Sequence, residues 1–186
     1  MNYRDVMIDF ETLGTNKDKC LCQVGAVYFD NVTGELGDEF KANIDATTHE
    51  KYGGRLDART VYWWLQQSEA ARASITAPGE DIMAAMARLN QFLAPATRIW
   101  SHATFDFVTL VETLKQLDIT PAFSYKTAMD IRTLVYLAGT STKQTPREGT
   151  HHDGLEDAKH QVKYCVEALN TIRSNKKIIA FINKLT

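Results

Sequence analysis

Only three cysteines and four prolines occur among the 186 residues, and no apolar run approaches the 18 residues of a membrane span. Three thiols (Cys20, Cys22, Cys165) are too few for a disulfide framework, and the Cys20-x-Cys22 pair has no second pair to complete a zinc site. Reduced thiols in a cytoplasmic protein are therefore expected. The opening residues, MNYRDVMIDF, lack the basic, apolar and small-residue succession of a signal peptide. An excess of positive charge is missing too. A formal net charge of −2 argues against a protein that coats nucleic acid through a broad basic face, but not against an enzyme that grips a few phosphates through metal ions. With no repeat, low-complexity tract or Pro/Ser-rich linker to divide the chain, one domain over residues 1–186 is expected, long enough to bury a substantial core.

What is present is patterned. Residues 3–10, QVGAVYFD and DEFKANI read as strands, with turn chemistry in NVTGEL, and their short connections predict an antiparallel meander. Helical spacing follows: TVYWWLQQSEAARA from about Thr60, and EDIMAAMARLNQFLA with Ile82, Met86, Leu89 and Phe92 or Leu93 on one face. TRIWSHA predicts a short strand leading to the helix DFVTLVETLKQL. SYKTAMDIRTLVYLAG predicts a strand running into a helix that ends at Gly139. Residues 140–152 form the longest unpatterned connection, a length that often carries function. The helix beginning near Gly154 turns Leu155, Ala158, Val162, Val166 and Leu169 to one side. KKIIAFINKL, about residues 175–185, reads as a last amphipathic helix that packs on the core or against a second copy in a homodimer. A meander followed by alternating strands and helices predicts an α/β fold, with a mixed sheet flanked by helices.

The stretch VMIDFETLGT sets Asp9 and Glu11 two apart on the first strand, so both side chains leave the same face. Like charges so placed raise each other's pKa unless a cation lies between them, and hard divalent cations such as Mg²⁺ and Mn²⁺ prefer such oxygen ligands. A D-x-E pair is common by chance and carries little alone. Asp106 and Asp157 each fall at a helix start, where an acid also complements the helix dipole. A single histidine such as His152 carries equally little, with His151 and His160 beside it in sequence.

In combination these residues carry more. Asp9-x-Glu11, His102-x-x-x-Asp106 and His152-x-x-x-x-Asp157 occur in that order, and the set resembles the DEDD superfamily of 3′→5′ exonucleases in its histidine branch (DEDDh). The tyrosine branch would have Tyr where Asp153 stands. The pieces IDFETLG, TVYWWLQQSEAAR, SHATFDFVTLV, DIRTL and HHDGLEDAKHQ most resemble the phage exonuclease A group and related exoribonuclease-like domains, over residues 6 to about 170. Two positions depart from the commonest pattern: His102 stands where Asn is frequent, and Gly154 where Ala is usual.

The resemblance implies a ribonuclease H-like mixed sheet, the antiparallel meander being followed by parallel strands. It also implies hydrolysis of single-stranded nucleic acid, DNA or RNA, from the 3′ end to nucleoside 5′-monophosphates. Two divalent cations, Mg²⁺ or Mn²⁺, would be held by Asp9, Glu11, Asp106 and Asp157, Asp9 bridging them. His152 would be the general base, swinging in with the 140–152 loop once substrate and metal are bound. Phe10, Thr12, Leu13, Gly14, Trp64, His102 and Phe105 would contact the substrate, with Leu13 wedged against the terminal base and Phe105 stacking on a base. Trp63 and Trp64 point about 100° apart on a helix, which predicts one in the core and one toward the site. Arg132 is expected near the acids, while Lys143 and Arg147 read as solvated charges or backbone contacts. A catalytically silent binding module of the same fold, or a phosphodiesterase for very short oligonucleotides, are the alternative readings.

Overall fold

The computed structural model describes residues 3–143 and 145–175; the helix expected over KKIIAFINKL lies outside the described residues. Five strands form one sheet in the order β3-β2-β1-β4-β5. The meander consists of β1 (Asp5–Thr12), β2 (Leu21–Phe29) and β3 (Leu36–Asn43), paired antiparallel. β4 (Arg98–Ser101) and β5 (Ala128–Asp130) add parallel strands on the other side of β1. The expected mixed α/β sheet is therefore observed.

Strand alternation sorts the core. Val6, Ile8 and Phe10 face a layer built on α4 (Ile82–Leu93), whose Ile82, Met86, Leu89 and Leu93 are fully buried, and on α5 (Asp106–Gln116). Met7 faces the opposite layer with Trp100, Ile131 and the Ala158–Val162–Val166 face of α7 (Gly154–Ser174). Asp9 and Glu11 follow Met7 in the two-residue period, so they leave the sheet on the α7 side.

Three local results differ from the sequence expectation. The run TVYWWLQQSEAARA is two helices, α2 (Ala58–Leu65) and α3 (Glu69–Thr76), because Ser68 caps a fresh N-terminus by accepting from Ala71 N–H. A short helix, α1 (Ala46–Glu50), started by Asp45, interrupts the region after β3. The predicted strand of SYKTAMD shortens to the three residues of β5, preceded by a 3₁₀ turn at Tyr125–Thr127. The helix after β5, α6 (Ile131–Ala138), ends at left-handed Gly139 as expected.

Two glycines bring α7 onto the sheet. A Cβ at Gly25 of β2 would lie 2.2 Å from the backbone of Gly154 and Leu155, a contact no side chain allows. A Cβ at Gly154 would in turn meet Gly25 N at 3.0 Å and the Asp9 carbonyl oxygen at 3.2 Å. Gln23 then seals the crossing: its Oε1 accepts from Gly154 N–H at 2.5 Å, and its Nε2 donates to Asn43 and Ser74. Asp153 caps the helix while Lys41 Nζ (2.5 Å) and Ser74 Oγ (3.1 Å) donate to it. The start of α7 is thus pressed directly against β1 at Asp9.

Candidate active site

β1 runs past its parallel neighbour. Its register with β4 covers Asp5 to Met7, so Phe10 N–H has no strand partner on that side and donates to Asp106 Oδ1 at 3.2 Å. The second oxygen of Asp106 accepts from His102 N–H at 3.1 Å. Asp130, which caps α6, also accepts from Ala103 N–H at 3.1 Å, holding the β4–α5 turn from the other side. Asp106 is thereby fixed at the carboxyl end of β1 and β4, where open α/β sheets place their ligands.

One turn into α7, Asp157 reaches the same end of the sheet. Ligand oxygens of Asp9, Glu11 and Asp157 lie within 4.8 Å of one another, and those of Asp9 and Asp106 with a His102 ring nitrogen form a second such group. A third comprises His151, His152 and Asp157. The structure therefore brings together all five residues of the sequence constellation. The contrast along β1 is instructive. Asp5, also buried, receives hydrogen bonds from Arg98, Trp100 Nε1 and Asn31; burial pushes its pKa up, but these donors outweigh it and hold the carboxyl below its usual range. Glu11, 8% exposed, has no side-chain hydrogen bond or ion pair among the described residues. Asp9 has one, from Gln161 Nε2 at 2.6 Å.

The consequence is a cluster of carboxyls that resist ionisation. Burial, then repulsion from Asp157 and Asp106, pushes Glu11 up to about 8. Burial also raises Asp9 far above its ordinary value, reinforced by Asp106, Glu11 and Asp157. Burial raises Asp106 to about 7 against the two backbone donors, and Asp157 to about 6 against Arg147. Arg147, in the 140–152 connection, forms an ion pair with Asp157, so it is more than a solvated surface charge.

His152 occupies the left-handed region (φ +63°), and its N–H donates to Asp157 Oδ2 at 3.3 Å. Its ring is stacked on His151 at 3.7 Å and meets the edges of Trp63 and Trp64 at 4.8 and 5.6 Å. The ring lines the cleft, packed against the tryptophans of α2. Burial, with His151 and Arg147, lowers its pKa to about 4, leaving a neutral imidazole at neutral pH.

A cleft of about 420 Å³ contains Asp9, Phe10, Glu11, His102, Phe105, Asp106, His152 and Asp157 together with Arg132, as expected. Phe10, Glu11 and Phe105 also line a neighbouring cleft of about 550 Å³, whose other walls include Thr12, Gly14, Arg59, Trp63 and Trp64. Trp64 is the core member of the pair, 3% exposed with Nε1 donating to the Thr12 carbonyl at 2.9 Å, whereas Trp63 is 41% exposed. The Lys19 ammonium sits 4.8 Å from the Phe105 ring centre.

Leu13 departs from expectation. Its N–H donates to Cys20 O and its carbonyl accepts from Asp57 N–H, both at 2.8 Å, and the residue lines a separate depression with Cys22, Ile44 and Pro78. It is not among the residues that line the two site clefts. Residues not anticipated from the sequence are Gln161 and Tyr164, both in the acidic cleft. The missed signal is the i, i+4, i+7 spacing of Asp157, Gln161 and Tyr164, a polar stripe along α7 beside its apolar one.

A five-stranded mixed sheet flanked by helices, with acids gathered at the end of its first strand, places the chain in the ribonuclease H-like exonuclease superfamily. More narrowly, the chain belongs to the 3′-5′ exoribonuclease Rv2179c-like domain family, whose model matches residues 4–169. It is also similar to an exodeoxyribonuclease of Enterobacteria phage T4, 26% identical over an alignment of 129 positions, with 61% of this chain and 56% of that one covered. Among solved structures, the zinc-bound complex of E. coli exonuclease I with single-stranded DNA shares the fold with a TM-score of 0.62 and 15% identity, covering 99% of this chain and 43% of the other. Exonuclease I from Methylocaldum szegediense does so with a TM-score of 0.66 and 14% identity, covering 97% and 42%. The chain spans less than half the length of these two exonucleases. Among the described residues, no helix is long and apolar enough to cross a membrane.

Proposed function

We propose that the chain is a metal-dependent 3′→5′ exonuclease of the DEDDh type, releasing nucleoside 5′-monophosphates from single-stranded nucleic acid. The observation that carries this reading is the unbalanced charge: three carboxylates with oxygens within 4.8 Å, one of them, Glu11, buried with no hydrogen bond or ion pair among the described residues. An all-oxygen donor set of that kind fits a hard divalent cation, Mg²⁺ or Mn²⁺. Asp9, Glu11 and Asp157 would hold one cation, and Asp9 with Asp106 a second. Such ions, when bound, supply neutralisation of phosphoryl charge and acidification of an attacking water.

The remaining steps belong to the protein's own side chains. Gln161 orients Asp9. His152, neutral at the working pH, accepts the proton of the water, and the negative charge of an arriving phosphodiester raises its basicity for that moment. Trp63 and Phe105 offer flat apolar surface to bases without reading their identity. Arg132 borders the acidic cleft with no hydrogen bond or ion pair among the described residues and would contact a phosphate. The family is described as exoribonuclease and the phage relative as exodeoxyribonuclease, so both polymers remain candidate substrates.

The test uses matched end-labelled DNA and RNA single strands with chelator, Mg²⁺ or Mn²⁺. Stepwise shortening from the 3′ end, abolished by chelator and by Asp9→Ala, is expected. Identical traces from wild type and Asp9→Ala would overturn the proposal. In a length series, rates that peak at two nucleotides would point instead to a short-oligonucleotide phosphodiesterase.

A further inference from the structure

The donor groups of the acidic cleft are not equivalent. One set, Asp9, Glu11 and Asp157, offers oxygen alone; the other, Asp9, Asp106 and His102, includes a ring nitrogen, and its ligand atoms also lie within 4.8 Å of one another. The two ring nitrogens face different neighbours. Nδ1 faces Asp106 Oδ2 at 3.9 Å, while Nε2 lies 3.5 Å from the Tyr164 hydroxyl oxygen. With the proton on Nε2, pointing at Tyr164, the Nδ1 lone pair is turned toward the two carboxylates. A ligating histidine usually has this arrangement, donating its other N–H to an acceptor that fixes tautomer and ring orientation.

A second, independent observation comes from α7. Gln161 is 5% exposed and donates to Asp9 Oδ1 through Nε2, which leaves Oε1 buried in the same cleft without a partner among the described residues. Asp9 Oδ2 likewise has no protein donor among the described residues. Polar atoms in that condition are costly unless a ligand or water completes them.

We infer that His102 is a direct metal ligand, so that the two cation positions differ in chemistry. The position shared by Asp9, Asp106 and His102 Nδ1 then favours a first-row transition dication over Mg²⁺, because Mg²⁺ takes oxygen donors whereas imidazole nitrogen binds transition ions. This inference rests on the metal-dependent reading above and adds a selectivity to it.

The test reads the metal directly. Chelator-stripped full-length wild type, His102→Asn, His102→Gln and His152→Ala are titrated with Mn²⁺ and with Mg²⁺ by calorimetry. Bound Mn²⁺ is then examined for ¹⁴N spin-echo modulation from a coordinated imidazole. Modulation in wild type and His152→Ala, lost in both His102 variants, is expected. So is a fall in Mn²⁺ affinity of about tenfold or more with a change for Mg²⁺ below about threefold. Absence of ¹⁴N modulation in wild type, or its survival in the His102 variants, would overturn the assignment. Hydrolysis of a labelled single strand is followed in parallel. Hydrolysis without modulation overturns the nitrogen ligand and leaves the exonuclease reading standing; modulation without hydrolysis supports the ligand and refutes that reading.

Discussion

Replacing Glu11 by glutamine should stabilise the metal-free protein while destroying its chemistry. Glu11 titrates near 4.5 in an unfolded chain and near 8 in the folded, metal-free cluster, so the folded state holds the proton more tightly. The stabilisation associated with that proton is complete below about pH 4.5 and is lost as pH rises toward 8. Each pH unit across the window is worth about 1.4 kcal/mol. Glu11 alone therefore costs the metal-free fold about 3 kcal/mol at pH 7 and about 4 kcal/mol at pH 8. Half of that is the realistic gain, because the neighbouring acids share the repulsion and a buried amide still lacks a partner. Glu11→Gln should then gain about 2 kcal/mol at pH 8 but well under about 1 kcal/mol at pH 5. At this chain length about 2 kcal/mol is a rise in Tm of roughly 4–8 °C. Thermal melts in chelator at pH 5 and pH 8 measure it. Saturating Mn²⁺ should reverse the order, since wild type gains binding energy that the variant lacks. A Glu11→Gln protein that melts below wild type at pH 8 in chelator, or a difference that does not grow from pH 5 to pH 8, would refute the argument.

Three further outcomes are expected. Gly25→Ala forces a Cβ to 2.2 Å from the Gly154 backbone, so it should cost about 1–3 kcal/mol or more and lower the melting temperature by several degrees. Its residual activity should fall as well, because the same contact seats Asp157. His152→Ala should leave the melt and the metal titration nearly unchanged but reduce kcat by about 10²–10⁴-fold, measured in single-turnover hydrolysis of a labelled strand. Trp63→Ala should weaken single-strand binding by about 1–3 kcal/mol, seen in KM or in anisotropy with the Asp9→Ala protein, with kcat changed far less.

Much of this protein is legible in its sequence because its signals are local. The two-residue period of VMIDFET puts Met7, Asp9 and Glu11 on one face, and the helical spacing of Ile82, Met86, Leu89 and Leu93 defines a buried stripe. The order of the acids and His152 along the chain points to one constellation, and the structure gathers all five. Boundaries were less legible: only the Ser68 cap separates α2 from α3. Leu13, anchored through backbone hydrogen bonds to Cys20 and Asp57, lines a separate depression, a placement its position in the motif does not reveal.

The sequence by itself determined which side chains carry charge and on which face of their own strand or helix they lie, because those depend on backbone period alone. Only the tertiary structure decided which charges lack a partner. Asp5 and Glu11 share one strand and are both buried. Asp5 accepts hydrogen bonds from Arg98, Trp100 and Asn31, whereas Glu11 has no such donor among the described residues and faces Asp157, Asp106 and Asp153 with the Arg147 charge opposing them only weakly. That difference depends on the early end of β4 and on two glycines that let α7 press against β1, long-range contacts that no local period encodes.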